Sequence, residues 1–200
     1  MGFDFIVIGA TGTQGKIVSK ELLETGYSVL LCGRDKSRVL PYLKKYKKSK
    51  FKYLDLRKTK DIEEVLKEAG ANVLVNCAES YWNIDILKAC LEVGVNSVDL
   101  GSDMPMVRDQ ISLDPQLKKR GIVHLTGCGS VPGTGDVMLK YAVEKFDTLD
   151  TIHAGFAWNS NIKKFVVPFS IPTIIKEMTL PATVFHNGQI KKVPRLSELQ

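Results

Sequence analysis

The chain has 200 residues and a mass of 22.2 kDa, enough for one sizeable domain or for one domain plus part of another. Hydrophobic residues make up 44%, charged residues 25%, and the mean hydropathy is -0.03, which is typical of a globular fold and excludes a disordered chain. No apolar run approaches the ~20 residues that cross a bilayer. No basic segment precedes the first apolar stretch, as it would in a secretory signal. We therefore expect a cytoplasmic protein without a membrane partner.

The formal net charge is +6, and much of the excess lies in residues 44–52. Because no stacking aromatic residues or recognition motif accompany these lysines, we interpret them as a solvated face and expect no nucleic-acid partner. The basic balance favours an anionic small ligand. Cys32, Cys77, Cys90 and Cys128 lie far apart without a C-x-x-C pair, so we expect reduced, buried thiols and no metal site.

Short apolar runs alternate with helical patterns along the first two thirds of the chain. The runs rich in β-formers are 3–8, 28–32, 51–54, 72–76, 96–100 and 122–126. The helical stretches between them are 13–24, 36–47, 60–69, 82–93 and 104–120. Near-continuous apolar strands that alternate with helices indicate a parallel sheet covered on both faces. We therefore predict an α/β protein with a doubly wound parallel-sheet Rossmann fold.

The alternation ends after residue 133. We predict a helix over 134–146, strands over 151–158 and 163–169, a short helix over 171–178, and a hairpin of 182–185 with 189–193. His186-Asn187-Gly188 favours the hairpin, because Asn-Gly tolerates the positive φ of a tight turn. The chain is divided accordingly into an NAD(P)-binding Rossmann domain, 1–133, and a linking helix with a partial α+β segment for substrate binding or dimerisation, 134–200.

A glycine-rich segment follows the first predicted strand and opens the first predicted helix. Its sequence is Gly9-Ala10-Thr11-Gly12-Thr13-Gln14-Gly15. The first glycine can make a tight turn, the second lets the backbone approach a pyrophosphate, and the third lets helix and strand pack closely. The helix N-terminus offers free N–H groups and a positive dipole end to the phosphates. We assign to dinucleotide binding Gly9, Thr11, Gly12, Thr13, Gln14 and Gly15.

The residues after the second predicted strand bear on the choice of dinucleotide. NAD sites place an acidic residue there for the ribose 2′-OH, whereas NADP sites use small and basic residues. Gly33 and Arg34 favour NADP, with Arg34 pairing the 2′-phosphate. Asp35 is a candidate for the ribose acid, but we prefer it as the N-cap of the helix that begins at Lys36. The predicted cofactor is NADP, with NAD as the alternative.

Two further strand ends carry polar residues. Asp55 follows the third strand, where such folds contact the adenine edge, and Asn76-Cys77-Ala78 ends the fourth, where the backbone approaches the nicotinamide ribose. We assign Asp55, Asn76, Cys77 and Ala78 to the cofactor site, because doubly wound sheets bind ligands at the carboxyl ends of their strands. The alternative is that Asp and Asn act there as turn formers.

Tyr141 and Lys145 form a Tyr-x-x-x-Lys pair. Together with Ser130 and Asn76 it is similar to the catalytic set of short-chain dehydrogenases. In that family the serine ends the fifth strand and the tyrosine follows soon after, whereas a further helix and strand come before Tyr141 here. A short-chain-type reductase using Tyr141 and Lys145 is therefore an alternative function.

Several segments resemble the saccharopine dehydrogenase-like oxidoreductases. They are the glycine loop, Cys32-Gly33-Arg34, residues 74–78 and 87–100, and Gly127-Cys128-Gly129-Ser130-Val131-Pro132-Gly133 at the start of a helix. The resemblance covers roughly residues 4–195. It implies an NAD(P)-dependent oxidoreductase acting on CH–NH donors, which moves a hydride between nicotinamide and an imine or amine carbon of an amino-acid-type substrate.

The loop 127–133 leaves the carboxyl end of the sixth predicted strand and enters a helix. Free N–H groups at that helix N-terminus would hold a substrate carboxylate near the nicotinamide. We expect this loop and the residues after the fifth strand to border the substrate pocket. The candidates are Gly101, Ser102, Asp103, Cys128, Gly129, Ser130, Pro132 and Gly133. No residue type or spacing identifies the catalytic acid or base, which stays unassigned.

Members of the resembled family are longer, with a substrate domain after the Pro-Gly helix. This chain holds the cofactor site and the opening of that domain, so a second hypothesis is an NADP-binding module without turnover. The last fifty residues are rich in large apolar side chains, and a half-built sheet leaves an unpaired edge. We therefore expect a homodimer formed through residues 150–200.

Overall fold

A computed structural model describes residues 2–101, 104–152, 163 and 171–194. The chain forms two compact units, Met1–Ile152 and His153–Gln200. The helix that follows residue 133 lies in the first unit. Ser102, Asp103 and most of the predicted strands over 151–158 and 163–169 lie outside the described residues.

Strands and helices alternate along the first unit as the sequence predicts. In chain order they are β1 (Phe5–Ile8), α1 (Thr13–Glu24), β2 (Val29–Gly33), α2 (Leu40–Lys45), β3 (Ser49–Tyr53), α3 (Lys60–Ala69), β4 (Val73–Asn76), α4 (Asn83–Val93), β5 (Asn96–Asp99), α5 (Met104–Ile111), α6 (Asp114–Arg120), β6 (His124–Leu125) and α7 (Thr134–Val143). The sheet order is β3-β2-β1-β4-β5-β6 and every pair is parallel. This is the Rossmann strand order, and it confirms the predicted fold.

Both faces of the sheet are buried, because the central strands carry apolar residues in both directions. Ile6, Ile8 and Leu30 pack on one side with residues of α3 and α4. Val7 and Leu31 pack on the other side with residues of α1 and with the 3₁₀ turn before α2. Two separate apolar clusters therefore hold β1 and β2 rigid, and their carboxyl ends carry the glycine loop and Arg34.

Most elements differ from the predicted bounds by a few residues at their ends, and three differ in other ways. The helix predicted over 104–120 is two helices, α5 and α6, because Pro115 has no N–H to donate to Ile111 O and its ring would clash with that carbonyl in a continuous helix. The helix predicted over 36–47 is a 3₁₀ turn, Lys36–Val39, followed by α2. The strand predicted over 122–126 is reduced to the two residues of β6.

The second unit contains a helix and a hairpin among its described residues. These are α8 (Ile171–Thr179), β7 (Ala182–His186) and β8 (Gln189–Val193), and the two strands pair antiparallel. Asn187 and Gly188 form the turn with φ of 49° and 74°. Two consecutive positive φ angles are typical of a type I′ hairpin turn, so the Asn-Gly signal is confirmed.

The four cysteines are free thiols, but they do not share one environment. Cys32 and Cys90 are buried and Cys77 is half-buried, whereas Cys128 is exposed, contrary to the predicted burial of all four. Burial raises the pKa of the Cys32, Cys77 and Cys90 thiols to about 12. These three are therefore protonated and unreactive at neutral pH. Within the described part of the chain, no helix has the length and apolar character needed to cross a membrane.

Candidate functional site

The glycine loop brings three strand ends together at the carboxyl edge of the sheet. A Cβ on Gly9 would lie 2.7 Å from the backbone nitrogen of Ala78, and the φ of Gly9 is +77°. A Cβ on Gly33 would lie 2.7 Å from Cγ2 of Thr11. The loop after β1 therefore touches the residues that follow β4 and the last residue of β2. This is the crevice in which Rossmann sheets hold a dinucleotide.

Gly12 and Gly15 serve different purposes. A Cβ on Gly15 would lie 2.1 Å from the carbonyl oxygen of Gly9, so the close packing of α1 on β1 requires glycine there. A Cβ on Gly12 would meet, among described atoms, the Gly9 oxygen at 3.2 Å, and the φ of Gly12 is an ordinary -83°. The contact at position 12 is tight but much less severe than the one at position 15, and a shift of a few tenths of an ångström would relieve it. The space beside it remains for a ligand.

Gly12 is also the N-cap of α1, and no described side chain caps this helix. The first N–H groups of a helix have no partner within the helix, and their dipoles favour a negative charge. The N-terminus of α1 therefore offers N–H groups beside the open space at Gly12. Both features fit a pyrophosphate.

Gly33 is the last residue of β2, and Arg34 and Asp35 follow it at the predicted nucleotide-selecting position. Asp35 Oδ1 accepts hydrogen bonds from the Ser37 N–H at 3.0 Å and from Ser37 Oγ at 2.6 Å. These bonds lower the pKa of Asp35. The structure thus confirms Asp35 as the N-cap of the turn from Lys36. Arg34 is exposed and forms no hydrogen bond or ion pair with other described residues, so its guanidinium is available to a ligand.

Asp55 has a different environment from the one predicted. Its side chain is 7% exposed and is paired with Arg57, whose Nε lies 3.0 Å from Oδ1 and 3.1 Å from Oδ2. Hydrogen bonds from Arg57 hold the pKa of Asp55 at about 2. Both carboxylate oxygens accept hydrogen bonds from Arg57, and the expected contact of Asp55 with the adenine edge stays a prediction. The Asp-x-Arg pattern after a strand is the sequence signal for this pair.

The end of β4 is shaped by Asn76, which is 3% exposed. Its Oδ1 accepts the Ala78 N–H at 2.9 Å, and its Nδ2 donates to Asn83 Oδ1 at 2.8 Å. The Asn76 side chain therefore acts within the fold, as a turn former. Cys77 and Ala78 approach the glycine loop through their backbone, as the contact with Gly9 shows.

A buried polar cluster that sequence reasoning missed lies at the ends of β5 and β6. Asp99 is 2% exposed. It accepts hydrogen bonds from the N–H groups of Gly101 at 2.7 Å and Gly127 at 3.1 Å. It also accepts hydrogen bonds from the Thr126 hydroxyl at 2.9 Å and the Gln110 amide at 2.6 Å. One carboxylate thus ties together the loops that follow β5 and β6.

His124 is the second member of the Asp99 cluster. Its Nδ1 lies 2.8 Å from Ser97 Oγ, and its Nε2 lies 3.4 Å from Asp99 Oδ2. Burial acts to raise the pKa of Asp99, but hydrogen bonds from His124, Gln110 and two backbone N–H groups outweigh it and hold the pKa at about 2. Asp99 is therefore charged at neutral pH.

Hydrogen bonds with the start of α7 hold the loop 127–133 in place, and they bear on one expectation. The Thr134 N–H donates to Gly129 O at 3.0 Å, the Gly135 N–H donates to Ser130 O at 2.8 Å, and the Gly133 N–H donates to Asp136 Oδ2 at 2.8 Å. These groups were expected to hold a substrate carboxylate. That expectation is wrong, because the loop folds back and its own acceptors occupy them.

A cleft of about 720 Å³ lies between α5, β6, the loop 127–133 and α7. Of the substrate-pocket candidates, Cys128, Gly129, Pro132 and Gly133 line it. Ser130 does not, and Gly101 instead packs where a Cβ would lie 2.5 Å from Pro132 Cγ. The larger side chains that line the cleft are apolar, and Asp136 is the charged residue among the described lining residues. No lysine or arginine stands among these described lining residues.

Tyr141 and Lys145 lie on the surface of the first unit. Tyr141 is 65% exposed, and the Lys145 ammonium lies 4.7 Å from the centre of its ring. This cation–π contact explains the pair without a catalytic role. Neither residue lines the cleft.

A parallel sheet with this strand order, a glycine loop between β1 and α1, and a basic residue after β2 define a dinucleotide-binding Rossmann domain. Residues 5–125 match the family described as the saccharopine dehydrogenase NADP binding domain. The chain belongs to this family, which confirms both the resemblance and NADP as the cofactor of the domain.

Individual relatives are similar over part of their length. Carboxyaminopropylagmatine dehydrogenase of Synechocystis sp. is 26% identical over 205 residues, which cover 96% of this chain and 51% of that protein. A provisionally named trans-acting enoyl reductase of Mycobacterium tuberculosis is 26% identical over 95% of this chain and 47% of its own length. The chain thus spans about half the length of these curated relatives.

The fold has a match among solved structures. Apo saccharopine dehydrogenase (L-Glu forming) from Saccharomyces cerevisiae superposes with a TM-score of 0.58 and 18% sequence identity. The match covers 72% of this chain and 31% of the yeast chain. At this identity the likeness concerns the fold.

Proposed function

We propose that the protein is an NADP-dependent oxidoreductase that transfers a hydride between nicotinamide and an imine or amine carbon of an amino-acid-type substrate. The observation that carries the cofactor part of the proposal is the open space at Gly12 beside the uncapped N-terminus of α1, together with Arg34, which has no partner among the described residues. Family membership supports the cofactor, and the dehydrogenase and reductase relatives support the reaction class.

The described residues divide the work of holding NADPH. The backbone at Gly12 and the first turn of α1 would bind the pyrophosphate, and Arg34 would pair the 2′-phosphate. The backbone of Cys77 and Ala78 lies against Gly9 and would border the nicotinamide ribose. NADPH supplies the hydride from C4 of its nicotinamide ring. The protein positions this carbon and excludes water.

The cleft between α5 and α7 suits an aliphatic part of the substrate. Its lining is apolar and its charged residue is Asp136. A substrate carboxylate would find no basic partner among the described lining residues and would be bound elsewhere. A charged amine at the rim would be favoured by Asp136.

Deuteride transfer tests this function. NADPH carrying deuterium at C4 is incubated with the protein and with mixtures of an oxo acid and an amine, and separately with an enoyl thioester. We expect mass spectrometry to find deuterium in the secondary amine product and NADPH to be preferred to NADH. Deuterium in the reduced thioester alone would overturn the imine chemistry and favour the enoyl reductase activity named for one relative.

The second candidate is an NADP-binding module without turnover. The N–H groups of α7 that were expected to bind substrate are occupied by the loop itself, which favours this reading. It predicts that NADPH binds but that no mixture acquires deuterium. We propose the cytosol for either activity.

We also propose a homodimer formed through residues 150–200. Ile171, Met178, Phe185 and Ile190 in the second unit are 64%, 67%, 74% and 56% exposed. Phe185 and Ile190 are opposite one another in the hairpin, so they form one apolar patch. A second copy of this chain would cover it.

Light scattering tests the assembly. We expect twice the 22.2 kDa of the chain at micromolar concentration. Phe185→Glu should weaken the dimer, because it places a charge in the apolar patch. Ile17→Glu is the matched control, since Ile17 is 60% exposed on α1 in the first unit. A stable wild-type monomer, or equal effects of the two variants, would contradict the proposal.

A further inference from the structure

We propose that Arg57 is a second cation for the 2′-phosphate of NADPH and that Asp55 positions it. This inference rests on the proposed function, because it concerns the same cofactor. It assigns a role to a residue that the glycine loop and the β2 signature do not include.

The register of the sheet places Arg57 near the nucleotide-selecting residue. Gly33 pairs with Tyr53, and the Leu54 N–H donates to Gly33 O at 3.0 Å. The chain segments that leave β2 and β3 therefore run side by side. Arg34 is the first residue of one segment, and Asp55 is the second residue of the other.

Asp55 fixes the orientation of Arg57. The carboxylate accepts from Nε and from one terminal nitrogen of the guanidinium, and the Arg57 N–H donates to Oδ1 at 3.2 Å. A guanidinium has five N–H donors, and this pairing uses its Nε side. The outer donors have no partner among the described residues and can bind a second anion. The Arg57 side chain is 72% exposed, so a phosphate reaches it without displacing protein contacts.

The charges around Asp55 fit a dianion better than a ribose hydroxyl. Arg57 is hydrogen-bonded to Asp55, and the charge of Arg34 also acts, more weakly, to lower the pKa of Asp55. Two guanidinium groups and one carboxylate leave a net positive charge, and the ion pair with Arg57 offsets the charge of Asp55. An acidic residue after β3 is therefore compatible with NADP.

Dissociation constants for NADPH and NADH, measured by calorimetry on the full chain, test the inference. Arg57→Ala should weaken NADPH about tenfold or more and change NADH less than about twofold. Arg57→Gln removes the charge but keeps amide donors for Asp55. If Arg57→Ala is unstable, Arg57→Gln takes its place and should give the same result. Arg34→Ala is the reference variant for the proposed cofactor site, with an expected loss of about tenfold to a hundredfold for NADPH.

Arg120→Ala is the matched control. Arg120 is also an exposed arginine beside an acid, with Nη1 3.8 Å from Glu92 Oε2, but it ends α6 at the opposite edge of the sheet. Its removal makes the same change in net charge and should leave both constants unchanged.

The role of Asp55 is read from a double-mutant cycle. In an Asp55→Asn background, Arg57→Ala should change the ratio of the two constants less than it does in the wild type, because the arginine is no longer held. An equal change would overturn the positioning role.

Equal losses of affinity for NADPH and NADH in Arg57→Ala, or no loss, would overturn the inference. The proposed function would still stand if the wild type binds NADPH. A wild type that binds neither nucleotide would overturn the proposed function itself.

Discussion

We expect Gly12→Val to abolish NADPH binding while the first unit still folds. The pyrophosphate of the cofactor would occupy the space beside Gly12, and a valine side chain fills that space and separates the phosphates from the N–H groups of α1. Loss of these charge-assisted hydrogen bonds should raise the dissociation constant at least about a hundredfold, equivalent to ~2.7 kcal/mol. Calorimetric titration with NADPH measures it.

A substitution at a neighbouring glycine distinguishes the loss of ligand space from the loss of packing within the fold. Gly15→Ala puts a Cβ 2.1 Å from Gly9 O, so we expect it to lower the unfolding temperature before any ligand is added. Gly12→Val should lower that temperature less than Gly15→Ala does, because its Cβ lies 3.2 Å from the Gly9 oxygen rather than 2.1 Å and the backbone angle is unstrained. If Gly12→Val binds NADPH with unchanged affinity, the pyrophosphate lies elsewhere.

Periodicity and glycine spacing predict the sheet and the phosphate loop because both are local signals. The apolar runs that form β1 and β2 are buried on both faces, so their composition alone indicates a parallel sheet covered on both sides. The break between α5 and α6 was also local, since Pro115 marks it, and the single helix predicted there overlooked that signal. The N-cap role of Asp35 followed from its place before a turn.

Features that depend on tertiary contacts were not predictable in this way. The occupation of the α7 N–H groups depends on the carbonyls of Gly129 and Ser130 folding back. The Asp99 cluster joins residues from β5, α5 and β6 that no sequence spacing connects.

That cluster leads to the second large effect, on stability. Asp99→Ala removes the acceptor of two backbone N–H groups, the Thr126 hydroxyl and the Gln110 amide, all in a nearly solvent-free site. Buried donors without acceptors are costly, so we expect the free energy of unfolding to fall by about 3 to 5 kcal/mol. Denaturant unfolding measures it. Asp109→Ala, at an exposed position of α5, is the matched control and should change it by less than about 0.5 kcal/mol.

The contribution of Asp99 should also depend on pH with a defined sign. Its pKa is about 2 in the folded protein, below the ordinary value of 3.8, so folding favours the charged form. The stabilisation is therefore complete above about pH 4 and is lost as the pH falls towards 2. Asp99→Asn keeps the size of the side chain but does not titrate, so the stability difference between wild type and this variant should shrink over that interval by about 2 kcal/mol. A difference that stays constant from pH 5 to pH 2 would show that the loops after β5 and β6 do not depend on the Asp99 charge.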